Sequence, residues 1–193
     1  MTTNNRRHCL AATGLTLALT FAAMKAEALE VQGEVGANAV TSTWQGDGGG
    51  GGQVRLGTRF WQWLTVDFAG WTQYLSVDQR STTGLTFGLA ATLAGPRLRP
   101  TLRVYALHQH EEGLVSVKEN PWGTLFGIGA GIRHRAGGGV QISAEMPITN
   151  ARFGEVYAYF GANTTWFPDV SLGPRVYVGG TGGIGLNYTI VLP

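Results

Sequence analysis

The 193-residue chain holds one cysteine, Cys9, two lysines and seven prolines, and only 13% of its residues are charged. One cysteine excludes a disulfide scaffold and every paired-cysteine zinc pattern. The Gly48 to Gly52 run lacks the lysine and Ser/Thr of a phosphate cradle, and no helical pattern follows Gly179-Gly180-Thr181-Gly182-Gly183. Neither nucleotide motif is therefore present, and the first run reads as a flexible linker. With 20 aromatics the chain is too apolar to be disordered, and its 30 glycines follow no collagen period. Its length suits one domain.

The N-terminal stretch has the composition of a cleaved export signal. Arg6, Arg7 and His8 precede an uncharged run from Cys9 to Met24, and Ala26-Glu27-Ala28 supplies a small-x-small cleavage pattern. The run is short and rich in Ala and Thr, unlike a membrane-spanning helix. The expected division is a secretory signal over 1–28 and one domain over 29–193. Removing Arg6, Arg7 and Lys25 from 14 basic residues, and Glu27 from 12 acidic ones, leaves eleven of each. Formal neutrality removes the electrostatic case for nucleic acid as a partner.

Beyond residue 28 the apolar residues recur at every second position, the period of a strand. Nine candidate segments follow this rule. They open with Leu29–Ala39, Val54–Phe60, Leu64–Phe68, Leu85–Leu93 and Leu102–Ala106, and continue with Phe126–Ile132, Val140–Met146, Val156–Ala162 and Val176–Ile190. No helical stripe competes with them. Tight turns are expected at Trp61-Gln62-Trp63, Gly95 to Pro100, Arg135 to Gly138 and Pro168 to Pro174, with a short link at Thr149 to Arg152. Longer polar loops are expected at Thr41 to Gly52, Ser76 to Thr82 and Glu111 to Pro121.

Alternation alone does not say which face meets water. A soluble β-sandwich buries its apolar face, whereas a membrane barrel turns that face to lipid around a polar lumen. The polar face here is rich in Gly, Ser, Thr, Gln and Asn, and Lys118 is the sole lysine after residue 28. Small residues suit a narrow barrel interior. Aromatics gather near strand ends, as in interfacial girdles: Phe60, Trp61 and Trp63, then Trp166 and Phe167, with Trp44, Tyr74 and Trp122 toward opposite ends. The expected fold is all-β, an antiparallel up-and-down transmembrane barrel of about eight strands.

The opening strand from Leu29, the run Val54-Arg55-Leu56-Gly57-Thr58-Arg59-Phe60-Trp61-Gln62-Trp63-Leu64 and the glycine-rich final strand resemble small bacterial outer-membrane β-barrel proteins of the OmpA-transmembrane and opacity type. Such proteins commonly end on an aromatic residue, whereas this chain ends Ile190-Val191-Leu192-Pro193. The resemblance implies residence in the outer membrane of a Gram-negative bacterium, with outer-membrane lipids and the barrel-assembly machinery as partners. It implies a structural, envelope or surface-contact role and no cofactor.

Three sites are conceivable. Glu30, Glu34, Arg55, Arg59, Asp67, Arg103, Glu145 and Glu155, with Arg175, Tyr105, Tyr157 and Tyr159, fall on the polar face and should pair across a lumen. His108-Gln109-His110-Glu111-Glu112 is the densest ligand group: His108 and His110 share a face, and Glu111 or Glu112 could complete a borderline zinc or copper site. A hairpin of 101–110 with 122–134 would leave His134 at the far end, about 30 Å away at about 3.3 Å per residue. A lipid hydrolase or acyltransferase would need Ser116 as nucleophile, His108 or His110 as base and Glu111 or Glu112 to orient it. A soluble small-ligand carrier of lipocalin shape is the other alternative. It would expose Arg55, Arg59 and Arg103.

Overall fold

The computed structural model describes residues 29–42, 47–128, 132–152, 154–169, 171 and 175–190. The expected export signal over 1–28, Trp44 and the last three residues lie outside them. The described chain is a closed, wholly antiparallel barrel in which β1 to β8 pair in sequence order and β8 returns to β1. The strands are β1 (Leu29–Ser42), β2 (Gly48–Phe60), β3 (Leu64–Leu75), β4 (Arg80–Thr92), β5 (Arg99–Gly113), β6 (Arg133–Ala151), β7 (Gly154–Trp166) and β8 (Val176–Ile190). Two short helices, α1 (Leu114–Glu119) and α2 (Pro121–Phe126), stand between β5 and β6.

Strand period two sorts the residues onto two faces. Inward positions include Gln32, Arg55, Arg59, Asp67, Arg103 and Glu145, all buried. Outward positions carry Leu56 and Ile142, each 66% exposed, with Phe87, Leu89, Val104, Phe160 and Ile184 around the rest of the wall. An exposed apolar ring of this kind exceeds what a soluble monomer leaves in water. It is the lipid-facing belt of a membrane barrel.

On β4 and β5 the belt covers the half of the wall nearest the short turns. On β4 it runs from Leu85 to Ala91, with Leu93 just past the strand, and Thr83 and Ser81 follow it toward the other end. β5 repeats the change, from Leu102, Val104 and Ala106 to His108 and His110. Strands of 12 to 19 residues exceed the roughly 9–11 needed to span a bilayer. Their surplus projects beyond the belt on the loop side.

Eight strands, rather than nine candidates, follow from the Phe126–Ile132 segment. Its alternation imitates a strand, but Asn120-Pro121 starts a helix that runs to Phe126, and Gly127, Ile128 and Ile132 are not in strand. The Asn120 side chain accepts a hydrogen bond from the Gly123 amide at 2.9 Å, and Pro121 occupies the first helical position, where its missing N–H costs nothing. β6 begins only at Arg133. Residues 129–131, the core of that candidate strand, lie outside the described residues. The two helices also correct the expectation of a chain without helix after the signal.

Two glycine-rich stretches expected as a linker and a turn, Gly48–Gly52 and Arg135–Gly138, are strand interior, and Gly179–Gly183 runs unbroken through β8 as its candidate segment implied. Inward glycines in and beside them make room for tyrosines. A Cβ on Gly139 would come within 2.4 Å of the Tyr105 hydroxyl, and one on Gly185 within 2.1 Å of the Tyr157 ring. Gly185→Ala should therefore destabilise the barrel by about 1–3 kcal/mol, the usual cost of overpacking, measured as an earlier denaturant midpoint in micelles.

With eight strands the connections alternate. The β2–β3, β4–β5 and β6–β7 turns lie at the end where β1 starts and β8 finishes, and the other four connections lie opposite. The short link near Thr149 therefore falls where a short one belongs. The Pro168 to Pro174 connection instead belongs with the longer loops, and its residues 170 and 172–174 are not described. Phe60-Trp61-Gln62-Trp63 closes through a Trp63 amide bond to the Phe60 carbonyl at 3.2 Å. Trp61 and Gln62 both take positive φ, 50° and 62°, the mirror-image turn whose twist matches paired strands.

Candidate functional site

The lumen is filled by an ion-pair network in three tiers. Nearest the short turns, Arg59 on β2 pairs with Glu145 on β6, diametrically across the eight-stranded wall. Glu145 also lies 3.5 Å from Arg99 and accepts a 3.1 Å hydrogen bond from Gln32. Glu30 sits 3.6 Å from Arg59, and Arg99 continues to Glu155, which accepts from the Asn187 amide at 3.3 Å.

The middle tier holds two pairs. Arg55 binds Glu34, which also accepts the Tyr157 hydroxyl at 2.9 Å, while that hydroxyl accepts from Gln32 at 2.6 Å. Arg103 donates from Nε to both Asp67 carboxylate oxygens at 2.9 Å and from its terminal nitrogen to Thr86 at 2.8 Å. Its guanidinium stacks on Tyr105, 4.7 Å from the ring centroid, and inward Gly88 leaves the space it occupies.

Toward the loops, Arg135 donates to Glu111 at 2.9 Å, and Arg80 approaches the same carboxylate at 3.6 Å. Arg135 lies over the Phe167 ring at 4.1 Å and donates to the Asp169 carbonyl at 3.2 Å. Phe167 and Asp169 thus lie against the outermost ion pair. The Asp169 side chain is held below the usual carboxylate range by hydrogen bonds from the Ser171 hydroxyl and amide.

Between the middle and outer tiers lies a polar cavity of about 40 Å³, lined by Asn38, Gln53, Gln73, Gln109, Asn163 and Thr165. That is room for little more than a water molecule. Arg55, Arg59 and Arg103 are each under 7% exposed. A soluble carrier, which would put these arginines in water and an apolar cavity inside, does not match this interior.

The remaining residues singled out by sequence distribute unevenly. Glu30, Glu34, Asp67, Glu145 and Glu155 all face the lumen, whereas Arg175 lies outside it, 5.5 Å over the ring of outward Trp166. Phe60, Trp61 and Trp63 form a stack at the β2–β3 turn, with centroids 6.0 and 6.3 Å apart. Trp166 is exposed at the opposite end, and Trp122 is 71% exposed on α2, above the wall. Phe167 is fully buried against Tyr177 and Arg135, so it plugs the lumen mouth and belongs to no girdle.

The histidine group changes most. Glu111 points into the lumen, with Gln109 donating to it at 2.6 Å, because adjacent strand residues face opposite ways. It therefore lies across the wall from His108 and His110 and neither ligates with them nor orients them. Among the described residues no serine hydroxyl hydrogen-bonds a histidine, so the hydrolase grouping with Ser116 is not assembled. His134 is in register with His110 on the neighbouring strand, not some 30 Å away. The assumed hairpin failed because residues 114–126 form helices and β6 starts at Arg133.

No protein-family model matches the chain, and no curated protein matches it in sequence. Solved structures do match its fold. The N-terminal β-barrel domain of Pseudomonas aeruginosa OprF aligns with a TM-score of 0.52 at 12% identity, over 84% of this chain and 98% of that one. Neisserial surface protein A aligns with a TM-score of 0.56 at 14% identity, over 82% of this chain and 97% of that one. Both are eight-stranded outer-membrane barrels. The chain has the fold of the small outer-membrane β-barrels.

Proposed function

We propose that the protein is a non-enzymatic outer-membrane barrel of a Gram-negative bacterium, serving envelope structure or surface contact, with a lumen sealed by its own polar network. The single observation behind this reading is the inverted amphipathicity of the wall. Charged side chains such as Arg59 and Glu145 are buried inside while Leu56, Phe87 and Ile142 stand exposed outside. Surrounding lipid offsets the exposure of that belt, and cross-lumen pairing offsets the burial of the charges. Export through the N-terminal signal and insertion by the barrel-assembly machinery belong to the same reading. The loops beyond the belt are the surface offered to partners.

Arg59–Glu145 and Gln32–Glu145 cross the lumen, and an eight-stranded interior is just filled by side chains. Refolded protein in planar bilayers should therefore show no regular stepwise conductance. The same preparation should migrate faster unboiled than boiled on a gel and aggregate without detergent. Regular channel openings would refute the sealed lumen, and a monodisperse fold in plain buffer would refute the membrane assignment.

A further inference from the structure

The chain has four histidines, and His8 lies in the expected signal segment. The other three, separated by up to 26 positions in sequence, converge on one spot of the outer wall. His108 and His110 are two apart on the outward face of β5, and His134 is the register partner of His110 on β6. Ring centroids lie 4.7 Å apart for His108–His110, 4.7 Å for His110–His134 and 5.5 Å for His108–His134. One nitrogen from each ring falls within 4.8 Å of the other two. His134 Nδ1 and His108 Nε2 are already 3.4 Å apart.

We propose that His108, His110 and His134 form a binding site for a borderline divalent transition metal of the zinc class. Imidazole nitrogens suit zinc, copper and nickel, and the cluster brings no oxygen ligands of the kind that calcium or magnesium demand. With zinc–nitrogen bonds of about 2.0–2.1 Å, tetrahedral ligands sit roughly 3.4 Å apart. The His134–His108 pair already has that separation. The remaining spread closes by about 1 Å of ring rotation, which exposed His108 and His134 are free to make.

Among the described residues, the hydrogen-bond contact seen at these rings is the one between His134 and His108 themselves. Three protein nitrogens leave the fourth tetrahedral position open, as in zinc sites that bind an exchangeable ligand. The cluster lies just past the apolar belt, one outward step beyond Ala106 toward the loops. It is therefore accessible from the aqueous side. It also links β5 to β6 at the root of the helical connection. Gly127, at φ +68°, packs against the imidazole of His110, where a Cβ would come within 2.1 Å.

The test is calorimetric titration of Zn²⁺ into the refolded, untagged chain in detergent micelles without chelator. One ion should bind per barrel with a micromolar dissociation constant, while Ca²⁺ and Mg²⁺ bind not at all. His134→Ala and His108→Ala, each checked for folding by heat-modifiable migration, should weaken binding at least tenfold. Co²⁺ should develop the visible absorption of a tetrahedral centre in the parent and not in the variants. Absence of Zn²⁺ binding at 0.1 mM, on the order of a weak surface histidine pair, would overturn the proposal. Equal binding by parent and His134→Ala would do the same. Either variant suffices if the other fails to fold.

Discussion

Glu145→Ala should lower the unfolding free energy of the micelle-bound barrel by about 3–5 kcal/mol, the cost of leaving buried charges without their partner. Glu145 is 1% exposed and takes Arg59 from across the lumen, Arg99 from β5 and the Gln32 amide. Its removal leaves two guanidinium groups facing the same desolvated space. Arg99 keeps Glu155, and Arg59 keeps the Thr65 hydroxyl at 3.3 Å with Glu30, 3.6 Å away, as its remaining carboxylate among the described residues. The double change Arg59→Met with Glu145→Leu should cost less than Glu145→Ala alone, since no buried arginine then loses its principal partner. Guanidinium unfolding followed by tryptophan fluorescence provides the comparison. A single-variant loss under 1 kcal/mol would mean the lumen admits enough water to screen these charges.

This network is only half visible in the sequence. Parity fixes which charges share a face: Glu30 and Glu34 alternate with Val31 and Val35, and Arg55 and Arg59 with Leu56 and Phe60. It does not say who meets whom. Arg59 and Glu145 are 86 residues apart, and their contact depends on barrel closure and on the exact register of eight strands. The expected eight strands are present, and the surplus ninth candidate segment has a physical origin. Phe126, Ile128 and Ile132 alternate like a strand, and the capping signal Asn120-Pro121 of the helix that ends at Phe126 is local and easily outweighed by period two. The same error carried His134 to the wrong end and hid the histidine cluster.

Glycine was the second source of error. Gly48–Gly52 and Arg135–Gly138 carry linker and turn chemistry in isolation, but here they are paired strand, like the Gly179–Gly183 run inside β8. Their small size is set by tyrosines from other strands. Tyr159, for instance, would meet a Cβ on Gly36 or Gly183. That requirement is tertiary and leaves no mark on the local pattern. The aromatic assignments divide likewise: Trp166 faces outward, while its neighbour Phe167 turns inward over Arg135.

Leu89→Arg should abolish productive membrane insertion or cost about 2–4 kcal/mol in lipid, and its effect should depend on depth as no soluble protein's would. Leu89 sits at the centre of the β4 belt, 46% exposed, with Val66 opposite it on β3 and Val104 on β5. An arginine there places its charge among acyl chains. At Leu98, in the β4–β5 turn and 45% exposed, the guanidinium reaches the interface and the cost should fall to about 0–1 kcal/mol. The two positions are equally exposed, so side-chain burial does not distinguish them. Only surrounding lipid does. Folding yield into vesicles, scored by heat-modifiable migration and followed by denaturant titration, should separate the two variants clearly. Equal effects at both positions would remove the belt from its membrane.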